Sequence, residues 1–193
     1  IYGHFSLFLF RRSASSGFTA SDSGKCIWTG VYAGSTYDRS IKTASGKIFP
    51  EDFSDFRVQV PVLAKIVEKM PMLNMLFIVS NQGGIKDAID KRLFKFKINA
   101  IVGVCQDYLN YRITHFSCVD AMYCCSMDKD NPYRKPNTGM LEQLYNQYLV
   151  HSKDECIMIG YASGKSGYFS DSDKKCAENF GIDYIDVRDF LES

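Results

Sequence analysis

The residues of this chain that could do chemistry sit at the ends of apolar runs. Met75-Leu76-Phe77-Ile78-Val79 is a continuous apolar stretch of strand length, and Ser80-Asn81-Gln82-Gly83-Gly84 follows it at once. A buried strand that ends in a polar, glycine-containing turn is where open α/β sheets place their ligands. Small polar residues there are also ordinary turn formers. Lys91-Arg92-Leu93-Phe94-Lys95-Phe96-Lys97 interleaves basic and aromatic residues in a way that suits a nucleic-acid backbone. The same spacing fits an amphipathic helix with Leu93, Phe94 and Ile98 inward, and that plainer explanation is preferred. Gly160 to Ser166 looks like a phosphate-binding loop, but only Tyr161-Ala162-Ser163 separate the two glycines where the motif needs four residues, so nucleotide binding there is discarded. His115 falls in an expected strand with no Cys or Asp at triad spacing and reads as a core or edge histidine. Cys124 and Cys125 are adjacent, and the histidines, at 4, 115 and 151, lie outside metal-ligand spacing, so no zinc site is expected.

The elements that must position these residues belong to a chain of ordinary globular composition. Of its 193 residues 46% are hydrophobic and 23% charged, which argues for one domain over residues 1–193 and against disorder, collagen or coiled coil. The 23 basic and 22 acidic side chains leave a formal net charge of +1, against a wholesale nucleic-acid coat or a polybasic membrane binder. Seven cysteines, an odd number, with several inside apolar runs, read as reduced thiols in an intracellular protein, without a disulfide framework. The richest apolar stretch, Phe5-Ser6-Leu7-Phe8-Leu9-Phe10, is too short to span a membrane and ends in Arg11-Arg12; it reads as a buried strand. The first residue is Ile1, so a removed targeting segment stays open, with nucleus or mitochondrion as compartments.

Residues 13–24 read as a loop, Cys26-Ile27-Trp28-Thr29 as a strand, and 30–46 as a turn-rich segment. Helical spacing predicts a helix over 60–70, with Pro61 in its first turn and Pro71 closing it. Further helices are expected over 86–104, weakened at Gly103, over 140–150 with a cap near Asn137 or Thr138, and over 174–180 with Gly181 as the stop. Strands are expected at 112–118, 155–160 and 184–185, and a last helical turn at 187–191. Strands alternating with helices imply a mostly parallel sheet covered on both faces.

Three segments together resemble the phosphatase domain of the polynucleotide kinase 3'-phosphatase family, in the haloacid-dehalogenase superfamily. They are Ser45-Gly46-Lys47-Ile48-Phe49-Pro50 with Asp55-Phe56-Arg57, then Phe77 to Ile85, then Tyr133-Arg134-Lys135-Pro136-Asn137-Thr138-Gly139-Met140. Ile157 to Lys165 and Asp173 to Ile182 add to the likeness, which runs in order across roughly residues 6 to 191. The resemblance implies a three-layer α/β fold with a mostly parallel central sheet flanked by helices. It also implies a D-x-D-x-T motif, in which one Asp is the nucleophile and the other the acid and base, with magnesium held by acidic residues of a fourth motif. By the same likeness Ser80 supplies the phosphate-binding hydroxyl and Lys135 the cation, accompanied by Asn81, Gln82 and Arg134.

The acids that this chemistry needs are missing. Aligned without gaps, Ser35 and Tyr37 occupy the two Asp positions and Arg39 the Thr position; with Cys26-Ile27-Trp28-Thr29 as the leading strand, Gly30 and Tyr32 do so. A third register makes Asp38 the nucleophile but leaves Ser40 for the acid and base. Tyr161 replaces the acid expected after Ile159-Gly160, and Tyr168 falls at the next, with Asp171 and Asp173 nearby. Without a nucleophile there is no acceptor for a phosphoryl group, and without the metal carboxylates there is no counter-charge for the substrate. The expectation is therefore a non-catalytic binding or structural subunit of a larger assembly, with protein partners and no cofactor. In it the Tyr residues at the old site pack as rings, and Ser80 and Lys135 remain either as an anion site or as an ordinary turn. The alternatives are an active magnesium-dependent 3'-phosphatase using Asp38, with Asp171 or Asp173 near the metal, and a binder of nucleic-acid ends that does not hydrolyse.

Overall fold

A computed structural model describes residues 4–10, 30–31, 41–42, 52–150, 152–166 and 170–193. The expected loop at 13–24 and strand at Cys26-Ile27-Trp28-Thr29 lie outside these residues. The chain is an α/β protein. Its described strands are β1 (His4–Phe10), β2 (Gly30–Val31), β3 (Ile41–Lys42), β4 (Arg57–Val58), β5 (Met75–Asn81), β6 (Cys118–Cys124), β7 (Cys156–Gly160) and β8 (Asp183–Asp186). Its helices are α1 (Val60–Lys69), α2 (Ala88–Asn110), α3 (Gly139–Gln147), α4 (Ser172–Phe180) and α5 (Val187–Glu192). None of the described helices is long and apolar enough to cross a membrane.

The main sheet has the order β6-β5-β1-β7-β8, and β2 also pairs with β1. Strands β5 and β6 are parallel, as are β7 and β8, because α2 and α4 carry the chain back across the sheet between the members of each pair. The central strand β1 is antiparallel to β5, β7 and β2. The expected mostly parallel sheet is thus a mixed one. The pattern of helices and strands constrains direction only across a direct strand-helix-strand crossover, and between β1 and β5 the chain passes through β2, β3 and β4 before it reaches α1. One edge of the sheet consequently carries the carboxyl ends of β5, β6, β7 and β8 together with the amino end of β1.

Apolar runs became the inner strands. Leu76, Phe77, Ile78 and Val79 of β5 and Met158 and Ile159 of β7 are completely buried, as expected of strands covered on both faces. Helix α1 buries Val62, Leu63 and Ile66, α3 meets α4 where Tyr145 packs edge-on against Phe180, and Gly181 ends α4 at φ 80°, a left-handed conformation that suits glycine.

Two boundaries depart from the sequence reading. Helix α2 runs through Gly103 to Asn110, because Cys105 and Leu109 continue the buried row of Phe94, Ile98 and Ile101. Leu93, expected inward, is exposed on another side of that helix. The strand expected over 112–118 begins only at Cys118, and Val119 to Cys124 form it instead. Its start is set by pairing of Cys118 with Met75 and by the Ser117 N–H donating to the Asn74 carbonyl at 2.6 Å. His115 therefore sits in the turn before β6 at φ 68°, not in a strand.

Candidate functional site

The loop that follows β6 is tied to the carboxyl end of β5 through one side chain. Asn81 lends its carboxamide as a rung of backbone: the Lys135 N–H donates to its Oδ1 at 2.9 Å, and its Nδ2 donates to the Lys135 carbonyl at 2.9 Å. The loop closes on itself where the Gly139 N–H donates to the Pro132 carbonyl at 2.9 Å. A Cβ at Gly139 would lie 2.6 Å from that oxygen, so the close approach requires glycine. The Lys135-Pro136 peptide is cis.

Held in this way, Lys135 runs beneath the end of β5. Its Nζ donates to the Val79 carbonyl at 3.2 Å and pairs with Asp173 Oδ1 at 2.9 Å. Both side chains are buried, at 0% and 1% exposure, so this pair lies in the interior rather than on a solvated surface. Asp173 comes from the first turn of α4, and its other oxygen accepts the Ala162 N–H at 3.1 Å. Gly160 makes room for it, since a Cβ there would stand 2.8 Å from Asp173 Oδ2 and 2.9 Å from the Tyr184 ring. Ser80, fully buried, accepts a hydrogen bond from Gln82 Nε2 at 2.7 Å.

The structure thus brings Ser80, Asn81, Gln82 and Lys135 to one sheet edge and adds Asp173 as the partner of Lys135. Arg134 turns elsewhere: its Nη1 donates to the Ser126 carbonyl at 2.6 Å. Tyr161 is buried at the end of β7, where Arg188 lies over its ring and donates to its hydroxyl at 3.4 Å. Nearby, Ser163 Oγ donates to Asp186 Oδ2 at 2.6 Å. Sequence reasoning did not find that last pair; the only signal was the place of Asp186 at the end of β8, directly before α5. Asp171, named with Asp173 in the sequence, is on the surface, where its hydrogen bond to Lys175 holds its carboxyl below the usual range. Beside the Lys135 pair, burial pushes the Cys176 thiol up to about 12, an effect that the charge of Lys135 partly opposes. The six described cysteines are all free.

Ser35, Tyr37, Asp38 and Tyr168 lie outside the described residues, as do Tyr32, Arg39 and Ser40. The strand that leads toward the first of them is described: in β2, Val31 pairs with Phe5, and Phe5 pairs in turn with Ser80. Because β2 runs opposite to β1, it runs the same way as β5, so the carboxyl end of β2 lies toward the edge that carries Ser80.

Magnesium, which the family likeness implies, needs several oxygen donors converging on one point. Among the described residues no group of three His, Cys, Asp or Glu side chains stands where it could hold a metal ion. The best-placed carboxylate, Asp173, already serves Lys135 and the Ala162 N–H, and the side chain after Gly160 is a tyrosine. The described donors do not fit the ion.

The fold and this edge define an α/β domain with a lysine buried beneath the end of an inner strand and carried by a loop that an Asn side chain clamps. Residues 37–190 match the family model described as polynucleotide kinase 3 phosphatase, and the chain belongs to that family. It is 31% identical over 158 residues to a bifunctional polynucleotide phosphatase/kinase of Schizosaccharomyces pombe; the match covers 78% of this chain and 35% of that protein. The chain therefore spans about a third of the length of this curated relative.

Proposed function

We propose that this chain is a phosphatase-family domain that does not hydrolyse phosphate esters and serves as a structural or binding subunit of a larger assembly. The observation that carries this reading is the engagement of Lys135. Its ammonium is buried against Asp173 and the Val79 carbonyl, so the charge that would neutralise a substrate phosphate is already neutralised within the protein. Tyr161 at an acidic position and the absence of two acids spaced by one residue within 30–40 point the same way. In this reading the helices form layers on both faces of the sheet, as in haloacid-dehalogenase domains, and 1–193 is one domain that works without a bound cofactor. Its place is inside the cell, where free thiols persist. The residues once used for catalysis now fasten the Asn131 to Thr138 loop and α4 to the end of β5.

The test is phosphate release from a 3'-phosphorylated oligonucleotide with magnesium, against a Ser80→Ala/Lys135→Ala control checked for folding by circular dichroism. No release above the control is expected. Release above it, lost on Asp38→Asn, would overturn the proposal in favour of an active 3'-phosphatase. Binding of the oligonucleotide without release, falling steeply with salt, would identify the binding role as one for nucleic-acid ends.

A further inference from the structure

Among the described strands, β6 and β8 form the two sides of the main sheet. Strand β8 has four residues and β6 has seven, so β6 is the longer row of backbone groups that a further strand could join. The way its backbone faces is fixed at its end, where the Cys124 carbonyl accepts the Gln82 N–H at 2.7 Å on the β5 side. Successive residues of a strand turn their backbone groups to opposite sides, so Val119, Ala121 and Tyr123 direct theirs away from β5. Two of these three outward donors are already taken, both by side chains. The Val119 N–H donates to Gln106 Oε1 at 2.6 Å. Gln106 lies on α2, and its Nε2 donates to Asn110 Oδ1 at 2.7 Å, which turns the carboxamide so that its oxygen meets the strand. The Ala121 N–H donates to Asp120 Oδ1 at 2.7 Å. The other oxygen of that carboxylate accepts the hydroxyl of Tyr148, at the end of α3, which holds it in place. Each plug is thus anchored by a different helix.

We infer that Gln106 and Asp120 shut the β6 edge against strand addition, so that an extended segment, whether of a second copy or of another chain, does not lengthen the sheet there. A ladder needs several consecutive rungs, and here two neighbouring outward donors must first give up acceptors that the fold itself supplies. Tyr123 alone of the three has no such side-chain acceptor among the described residues, and one rung does not start a ladder. Any partner on this side of the sheet must therefore bind through side chains rather than by sharing backbone hydrogen bonds.

Amide hydrogen exchange on the full chain, read residue by residue by NMR, tests the plugs one at a time. Gln106→Ala, at a half-buried position of α2, should speed exchange at Val119 by about fivefold or more, the worth of one hydrogen bond, and leave Ala121 unchanged. Opening both plugs with Gln106→Ala/Asp120→Ala should make the folded chain associate with itself in sedimentation velocity at about 100 µM, beyond any association of the parent. Tyr148→Phe loses the same hydroxyl bond as Asp120→Ala but keeps the Asp120 plug and the ring contact with Phe77, and should sediment as the parent does. Adding Ala121→Pro to the opened chain deletes an outward N–H without touching the pairing with β5, and should return it to the parent's behaviour. The proposal is overturned if Val119 exchange is indifferent to Gln106→Ala, or if the opened chain sediments as the parent does. It is equally overturned if Tyr148→Phe associates as the opened chain does, or if the association survives Ala121→Pro.

Discussion

Replacing Lys135 by Met removes the cation but keeps the length of the side chain. At 2.9 Å from Asp173 Oδ1, with both groups buried, the pair attraction at an effective dielectric of 20 is about 6 kcal/mol. Deleting one partner leaves a carboxylate in the interior without its nearest cation, and such deletions cost about 3 to 5 kcal/mol. Against a total stability of about 5 to 15 kcal/mol this is a large share. The melting temperature should fall by about 6 to 20 °C for a chain of this size. Asp173→Asn should cost a similar amount, because it removes the counter-charge of the buried ammonium. The double variant Lys135→Met/Asp173→Asn loses both charges together, keeps an acceptor for the Ala162 N–H, and should cost only about 1 to 2 kcal/mol, chiefly for the lost bond to the Val79 carbonyl. Urea unfolding followed by circular dichroism on all four proteins gives the coupling directly. The reasoning fails if either single variant costs less than about 1 kcal/mol, or if the double variant equals the sum of the two singles.

Two further outcomes are expected. Burial raises the thiols of Cys105 and Cys176 from 9.0 to about 12, so the unfolded chain ionises first: their contribution is complete below pH 9 and is lost as pH rises toward 12. Urea midpoints should hold steady from pH 7 to 8.5 and then fall, by about 1 kcal/mol per thiol at pH 10, and Cys105→Ala should flatten that slope. Gly160→Ala forces a Cβ to 2.8 Å from Asp173 Oδ2 and should lower stability by about 1 to 3 kcal/mol; a thermal midpoint equal to the parent's would refute the tight packing at that point.

Much of the framework was legible in the residues themselves. Apolar runs of strand length marked β5 and β7, helical spacing with Pro61 marked α1, and Gly181 marked the end of α4. Strand β6 was misplaced because its side chains alternate only weakly between buried and half-buried, so its start is dictated by pairing with Met75 rather than by its own pattern. Leu93 is expected in the core yet exposed, because helical periodicity marks an apolar side chain without distinguishing a face that meets the sheet from one that meets solvent.

At the candidate site the division follows the range of the interaction. Which residue types stand in the motifs is written in the chain: a serine after the apolar strand, a lysine before Pro136, a tyrosine after Gly160, and no register of 30–40 with two acids spaced by one residue. Local preferences also follow from it, because turns, caps and buried runs involve neighbours a few residues apart. Tertiary structure alone decided that Lys135 spends its charge on Asp173, that Arg134 turns to the Ser126 carbonyl, and that β1 lies reversed between β5 and β7. Each of these depends on segments distant in sequence meeting in one register, and the composition of either segment alone does not determine which partner the other will be.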